Sequence, residues 1–247
     1  NKNLKKYHNL ANSIIILDEV QSIPYKYWKL VNNTLKKMSE TLNCYIILVT
    51  ATMPLIFDES KNEIIELATD KKDYFSYFNR IDLDVSLLKN PMNTEEFNKV
   101  IQRDLEDNPQ DSFLFVLNTI KSSLRVYTFI LENFPDREII YLSTNIVPKE
   151  RLERINRIKK SKNCIVISTQ LVEAGVDIDL DRVYRDFGPL DSINQVCGRC
   201  NRNGLKDKKG QVKIFNLLDE NNKNKPFSTY IYTDQILGDK TRKSLSE

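Results

Sequence analysis

Apolar, largely β-branched runs recur along the chain at 14–17, 45–49, 113–117, 139–142, 165–167 and 212–215. They are short and, apart from Lys213, hold no charged residue, which predicts strands buried on both faces. Between them the apolar spacing lengthens to a helical period at 25–42, 94–106, 120–134 and 148–160. Asn93 and Glu96 have the spacing of a capping box, and Pro148 suits the first turn of the last of these helices. Strand–helix alternation of this kind predicts an α/β fold, a parallel sheet with helices on both faces. The stretch 55–79 breaks the rhythm with charged and aromatic residues, so a boundary between two α/β units is placed there. Beyond 218 the chain turns polar, and the aromatic stretch P-F-S-T-Y-I-Y-T at 226–233 is expected to dock on the body of the fold.

Composition narrows the reading only in part. At 247 residues and 40% hydrophobic content the chain can bury one large core or two small ones. A net charge of +3 leaves any anionic partner to be met by local patches. No apolar run is long enough to span a bilayer, and N-K-N-L-K-K-Y-H at the start lacks the apolar centre of a signal peptide. The expectation is a cytoplasmic chain with no membrane partner and with its cysteines, 44, 164, 197 and 200, reduced. Cys197 and Cys200 have the spacing of half a zinc site, with no second pair to complete it.

The candidate chemistry gathers where strands end. Asp18 and Glu19 follow the first apolar run, and the carboxyl edge of a parallel sheet is where open α/β folds bind ligands. One carboxylate there can hold Mg²⁺ while the other activates a water beside a phosphate; a solvated strand end is the plainer alternative. The next strand runs into T-A-T-M-P at 50–54, and a later one into S-T-Q-L-V-E-A-G-V-D-I-D at 168–179, where a glycine lets backbone approach a ligand. In Q-V-C-G-R-C-N-R-N-G at 195–204, a helix opening at Ser192 would set Arg199 and Arg202 on one face. Paired guanidinium groups suit the spread charge of a phosphoryl group, although a solvated helix face would look the same.

Taken in order, D-E-V-Q, T-A-T-M-P, S-T-Q-x-x-E-A-G-V-D and Q-x-x-G-R-x-x-R resemble motifs II, III, V and VI of superfamily 2 helicases. With Y-L-S-T-N-I-V-P-K-E-R at 141–151 added, the chain is similar to the helicase of type I CRISPR interference. The resemblance implies RecA-like parallel sheets with flanking helices: the end of a first lobe at 1–78, a second lobe at 79–220, and the start of an accessory segment at 221–247. It implies ATP and Mg²⁺ as cofactors, with Asp18 as the metal carboxylate, Glu19 as the base that orients water, and Gln21 sensing the nucleotide from the facing lobe. Thr50 and Thr52 would couple nucleotide state to movement. Gly175 and Asp177 would lie beside the nucleotide, and Gln195, Arg199 and Arg202 would face its phosphates, the arginines as fingers. Asn118, Thr119, Ser143, Thr144 and Thr169 would hold nucleic-acid phosphates, positioning a strand without reading its sequence. Single-stranded DNA, a guide-RNA surveillance complex and a nuclease domain or subunit are the implied partners.

The chain also departs from that pattern. A phosphate-cradling loop needs G-x-x-x-x-G-K-[ST], yet the first glycine is Gly175. The expectation is therefore a piece of a helicase that does not hydrolyse ATP alone. The histidine–aspartate cluster of the accompanying nuclease needs several histidines, and His8 is the only one. A rival of another class is a non-catalytic nucleic-acid clamp of helicase ancestry. In either case the basic residues Arg151, Arg154, Arg157, Lys159 and Lys160 are candidates to grip phosphates, or else form a solvated helix face.

Overall fold

The computed structural model describes residues 8–50, 56–68, 79–204, 206, 208–219, 225–232 and 235–246. They group into two units, one within Asn1–Lys71 and one within Lys72–Glu247. In the smaller unit, β1 (Ile14–Asp18) pairs in parallel with β2 (Tyr45–Val49), and α1 (Trp28–Leu42) makes the crossover. α1 ends where Asn43 takes a left-handed conformation at φ 52°, which asparagine tolerates, and its amide donates to Asn12 Oδ1 at 2.8 Å. Leu17, Leu48, Val31 and Leu35 pack around buried Val20, Ile56 and Phe57. The expectation of strands buried on both faces fails here: Ile14, Ile16 and Tyr45 are 67%, 64% and 71% exposed. Within this unit one face of the pair meets α1 and the alternate residues face away, so period-2 geometry divides even a continuous apolar run.

The larger unit holds a six-stranded sheet in the order β3-β8-β7-β4-β6-β5, every pairing parallel. Its strands are β3 (Ile81–Asp84), β4 (Phe113–Val116), β5 (Ile139–Leu142), β6 (Ile165–Ser168), β7 (Arg182–Asp186) and β8 (Gly210–Phe215). Its flanking helices are α2 (Thr94–Asp107), α3 (Ile120–Asn133), α4 (Pro148–Lys160) and α5 (Leu190–Cys197). β4 and β6 are buried throughout, as their unbroken apolar runs predict. Phe113 and Phe115 join Phe97, Ile101, Val126 and Ile130 from α2 and α3 in one core. Leu114 and Val116 join Ile158, Ile193 and Val196 from α4 and α5 in the other. The capping box at α2 is formed: Asn93 Oδ1 accepts from Glu96 N, and Glu96 Oε2 from Asn93 N, both at 2.9 Å.

Besides β3, which no apolar run marks, two features were not legible in the pattern. β7 reads R-V-Y-R-D, yet Arg185 and Asp186 are fully buried in the middle of the sheet. α5 stops at Cys197, so Arg199 and Arg202 lie in the turn that follows and do not share a helical face. Backbone pairing pulls the chain away: Leu180 N donates to Arg199 O at 3.0 Å, and Asn201 N to Leu180 O at 2.9 Å. Asn201 then turns left-handed at φ 43°. After β8 come the short strands β9 (Leu218–Asp219) and β10 (Lys225–Pro226), then α6 (Ser228–Ile231) and α7 (Gln235–Ser246). The aromatic stretch docks as expected, with Phe227 in the α2–α3 core.

Candidate functional site

The register of the smaller unit sets Asp18 opposite Val49, so the residues after each strand, Glu19 and Thr50, leave the sheet side by side. Glu19 adopts φ 56°, a costly conformation for a side chain of its size, and Asp18 Oδ1 accepts its N–H at 2.9 Å. Gln21 Nε2 donates to Glu19 Oε2, and Thr50 Oγ1 donates to Gln21 Oε1. Thus two stretches of sequence form one relay, hydroxyl to amide to carboxylate, with Asp18 and Glu19 exposed at its mouth. Thr52 lies outside the described residues.

In the larger unit the chain leaves β6 on one side of β4 and re-enters as β7 on the other. That reversal opens a crevice at the carboxyl ends of β4, β6 and β7. A hollow of about 550 Å³ lies there, lined by Asn118, Thr119, Ile120, Thr144, Thr169, Gln170, Leu171 and Ile231. Four of the five residues predicted to meet nucleic acid therefore share one wall. Ser143 is fully buried instead, its Oγ accepting from Asn145 N at 3.3 Å. Thr119 caps α3, its hydroxyl accepting from Ser122 N at 3.0 Å. Asn118 turns inward: its amide donates to Phe187 O at 2.8 Å and its carbonyl oxygen accepts from Arg185 Nη1 at 2.7 Å.

Arg185 sits behind the hollow with no exposure at all. Its Nη1 also donates to Asp186 O at 2.6 Å, and its Nη2 to Ser192 Oγ, Tyr232 Oη and Glu173 Oε1 at 2.7, 2.9 and 3.0 Å. A buried guanidinium tolerates desolvation only when paired and hydrogen-bonded in this way. Burial raises the Glu173 carboxyl against the opposing pull of Arg185. Neither residue was singled out from sequence, because nothing in V-Y-R-D or V-E-A-G distinguishes a buried pair from a solvated one.

The segments 168–179 and 195–204 meet where the chain has left α5. Arg199 is nearly buried, its Nε and Nη2 donating to Val172 O and Glu173 O at 2.8 and 2.7 Å. Arg202 is half exposed and pairs with Asp177 at 3.1 Å. Asp177 also accepts from Lys159 at 2.8 Å, and this bond, with the nearby positive charges, holds its carboxyl below the usual range. Asp179 fixes the turn, accepting from Arg202 N at 2.8 Å and Asn203 N at 3.3 Å. Gly175 lies at φ 70°, and Gln195 is half-buried on the last turn of α5. The basic face of α4 is largely engaged within the unit. Arg151 donates to Ile146 O at 2.9 Å, Arg154 to Tyr141 O at 2.6 Å and Arg157 to Glu138 at 2.9 Å. The Cys197 and Cys200 thiols are pushed up by burial to about 11 and about 12.

Comparison with known proteins adds to this geometry. Residues 109–205 match the family described as CRISPR-associated nuclease/helicase Cas3, C-terminal. The CRISPR-associated nuclease/helicase Cas3 of Methanothermobacter thermautotrophicus is 27% identical over 240 residues, covering 92% of this chain and 28% of that protein. A putative Cas3 of Methanocaldococcus jannaschii is 25% identical over 224 residues, covering 84% of this chain and 30% of that protein. The chain thus spans under a third of the length of either relative. In fold it is similar to T. fusca Cas3 solved with AMPPNP, at a TM-score of 0.70 and 17% identity over 94% of this chain and 33% of that one. No described helix is long and apolar enough to cross a membrane. Over most of its length the chain is thus similar to proteins described as Cas3 nuclease/helicases, residues 109–205 match the C-terminal part of that family, and the mostly parallel sheet with flanking helices is a fold shared with T. fusca Cas3.

Proposed function

We propose that this chain supplies the water-activating strand ends and a strand-binding lobe of an ATP-dependent single-stranded DNA translocase acting in type I CRISPR antiviral defence. One observation supports the strand-binding part above all: polar residues from three separate strand ends line one hollow at the switch point of the sheet. Hydroxyl groups and helix-terminal N–H groups contact phosphate and sugar without reading bases, as a translocase requires.

For the hydrolytic part, the donor set at β1 fits a hard cation. Asp18 and Glu19 offer exposed carboxylate oxygens, and Mg²⁺ is held by one or two such groups together with nucleotide phosphates. Asp18 would hold the ion, which neutralises phosphate charge when bound with ATP. Glu19 would orient the attacking water and take its proton, kept in place by Gln21 and Thr50. Arg202, half exposed and paired with Asp177, is the better finger; Arg199 is committed to the backbone of the turn at Val172 and Glu173. Gln195, Gly175 and Asp177 complete the nucleotide-facing set. With no phosphate-cradling loop among these 247 residues, the chain by itself should hydrolyse ATP no faster than background. A guide-RNA surveillance complex and a nuclease domain or subunit remain the partners this role calls for. The inward commitment of Arg199 favours one second reading, a strand clamp without turnover.

Binding of labelled oligo-dT, about twenty nucleotides long, measured by fluorescence anisotropy, tests the strand site. Affinity should fall about tenfold between about 50 and about 200 mM salt and change little with base sequence. Affinity flat in salt, or strongly dependent on sequence, contradicts backbone tracking. ATP turnover by the purified chain that disappears in Glu19→Gln would contradict the proposed incompetence.

A further inference from the structure

All of the hollow's lining except Ile231 comes from the residues that follow β4, β5 and β6. This residue belongs to the segment 225–232, which is tied down at its start: Phe227 is buried, its N–H donates to Leu217 O at 3.0 Å, and Ser228 Oγ donates to Asn216 Oδ1 at 3.3 Å. The segment then passes over the switch point, where Tyr232 follows Ile231. Its hydroxyl donates to Asn118 Oδ1 at 3.1 Å and accepts from Arg185 Nη2 at 2.9 Å and Gln170 Nε2 at 3.4 Å. Gln170 in turn donates to Asn118 O at 3.0 Å. The ring lies against Gly188, where a Cβ would stand 3.1 and 3.2 Å from Tyr232 Cε2 and Cζ and 3.0 Å from Arg185 Nη2. Gly188 does not have a positive φ, so close approach is what calls for glycine there.

We propose that Tyr232 is a positioning residue for single-strand binding: through its hydroxyl it fixes Asn118, and so makes the 225–232 strap a working wall of the hollow. A tyrosine that only anchored a passing segment would need a single partner for its hydroxyl. Here the hydroxyl spends its donor and its acceptor capacity on residues of two strand ends, and a buried arginine holds it from behind. The strap thereby sets the width and polarity of the hollow from a part of the chain that carries no helicase motif. This inference rests on the reading of the hollow as a strand site.

The test is a double-mutant cycle on the 247-residue chain, read by oligo-dT affinity and by thermal midpoint. Tyr232→Phe keeps the ring and should weaken binding about threefold to tenfold, the scale of one hydrogen bond, with little change in midpoint. Asn118→Ala should weaken it at least as much, and the double variant should match Asn118→Ala within about twofold, because Tyr232 acts through Asn118. Gly188→Ala, which crowds the same ring from beneath, should weaken binding in the same sense. Wild-type affinity in both Tyr232→Phe and Gly188→Ala overturns the inference alone, as do losses that multiply in the double variant. A wild-type chain that does not bind oligo-dT overturns the strand reading and this inference with it.

Discussion

Arg199 and Arg202 come from one short motif and do different work. Arg199 supplies two charged hydrogen bonds to carbonyls of the motif V turn from a nearly buried position. Arg199→Ala should therefore destabilise the chain by about 2 kcal/mol or more, measured by urea unfolding. Arg202 pairs with an exposed carboxylate, so Arg202→Ala should leave the unfolding midpoint within measurement error. The reverse order would mean that Arg202 is the structural residue and Arg199 the better finger. Spacing in the sequence showed both arginines and could not tell them apart, because the difference lies in where α5 ends. The same limit hid Arg185, Glu173 and Tyr232, whose meaning depends on strand order. The relay of Glu19, Gln21 and Thr50 was nearer the surface of the sequence, since parallel strands of equal length bring their ends together.

At the scale of elements, Asp186 ties three strand ends. Its carboxylate accepts from Asn118 N at 3.4 Å beyond β4 and from Leu217 N at 3.1 Å beyond β8, while it closes β7 itself. Complete burial pushes its carboxyl up to about 7, against the pull of Arg185 and the backbone N–H groups. A carboxyl whose folded pKa lies above its unfolded value contributes stability that is present below the unfolded pKa, near 3.8, and lost as pH rises through about 7. The stability difference between wild type and Asp186→Asn should then shrink from pH 5 toward pH 8 in urea unfolding. A difference that grows over that window contradicts the raised pKa. Helices α2, α3 and α4 and strands β4, β5 and β6 were legible because period, cap and proline all agreed. β7 was not, for its polar residues look solvated until the neighbours that bury them are known. The apolar runs of β1 and β2 misled in the opposite direction, reading as doubly buried where each strand shows one face.

For the molecule as a whole, the proposed role makes the switch point of the larger sheet a track for a single strand. The order of motifs made the strand ends legible, but their convergence on one hollow, and the strap that completes it, follow from topology and from long-range contacts. Photo-crosslinking tests the claim most directly: oligo-dT carrying 4-thiothymidine is irradiated with the chain, and the modified peptides are mapped by mass spectrometry. Crosslinks should concentrate on the peptides bearing 118–120, 144, 169–171 and 231, the lining of the hollow. Crosslinks confined to Lys149 and Lys160, exposed on α4, and to Lys162 just beyond it, with none in the hollow, would contradict this reading.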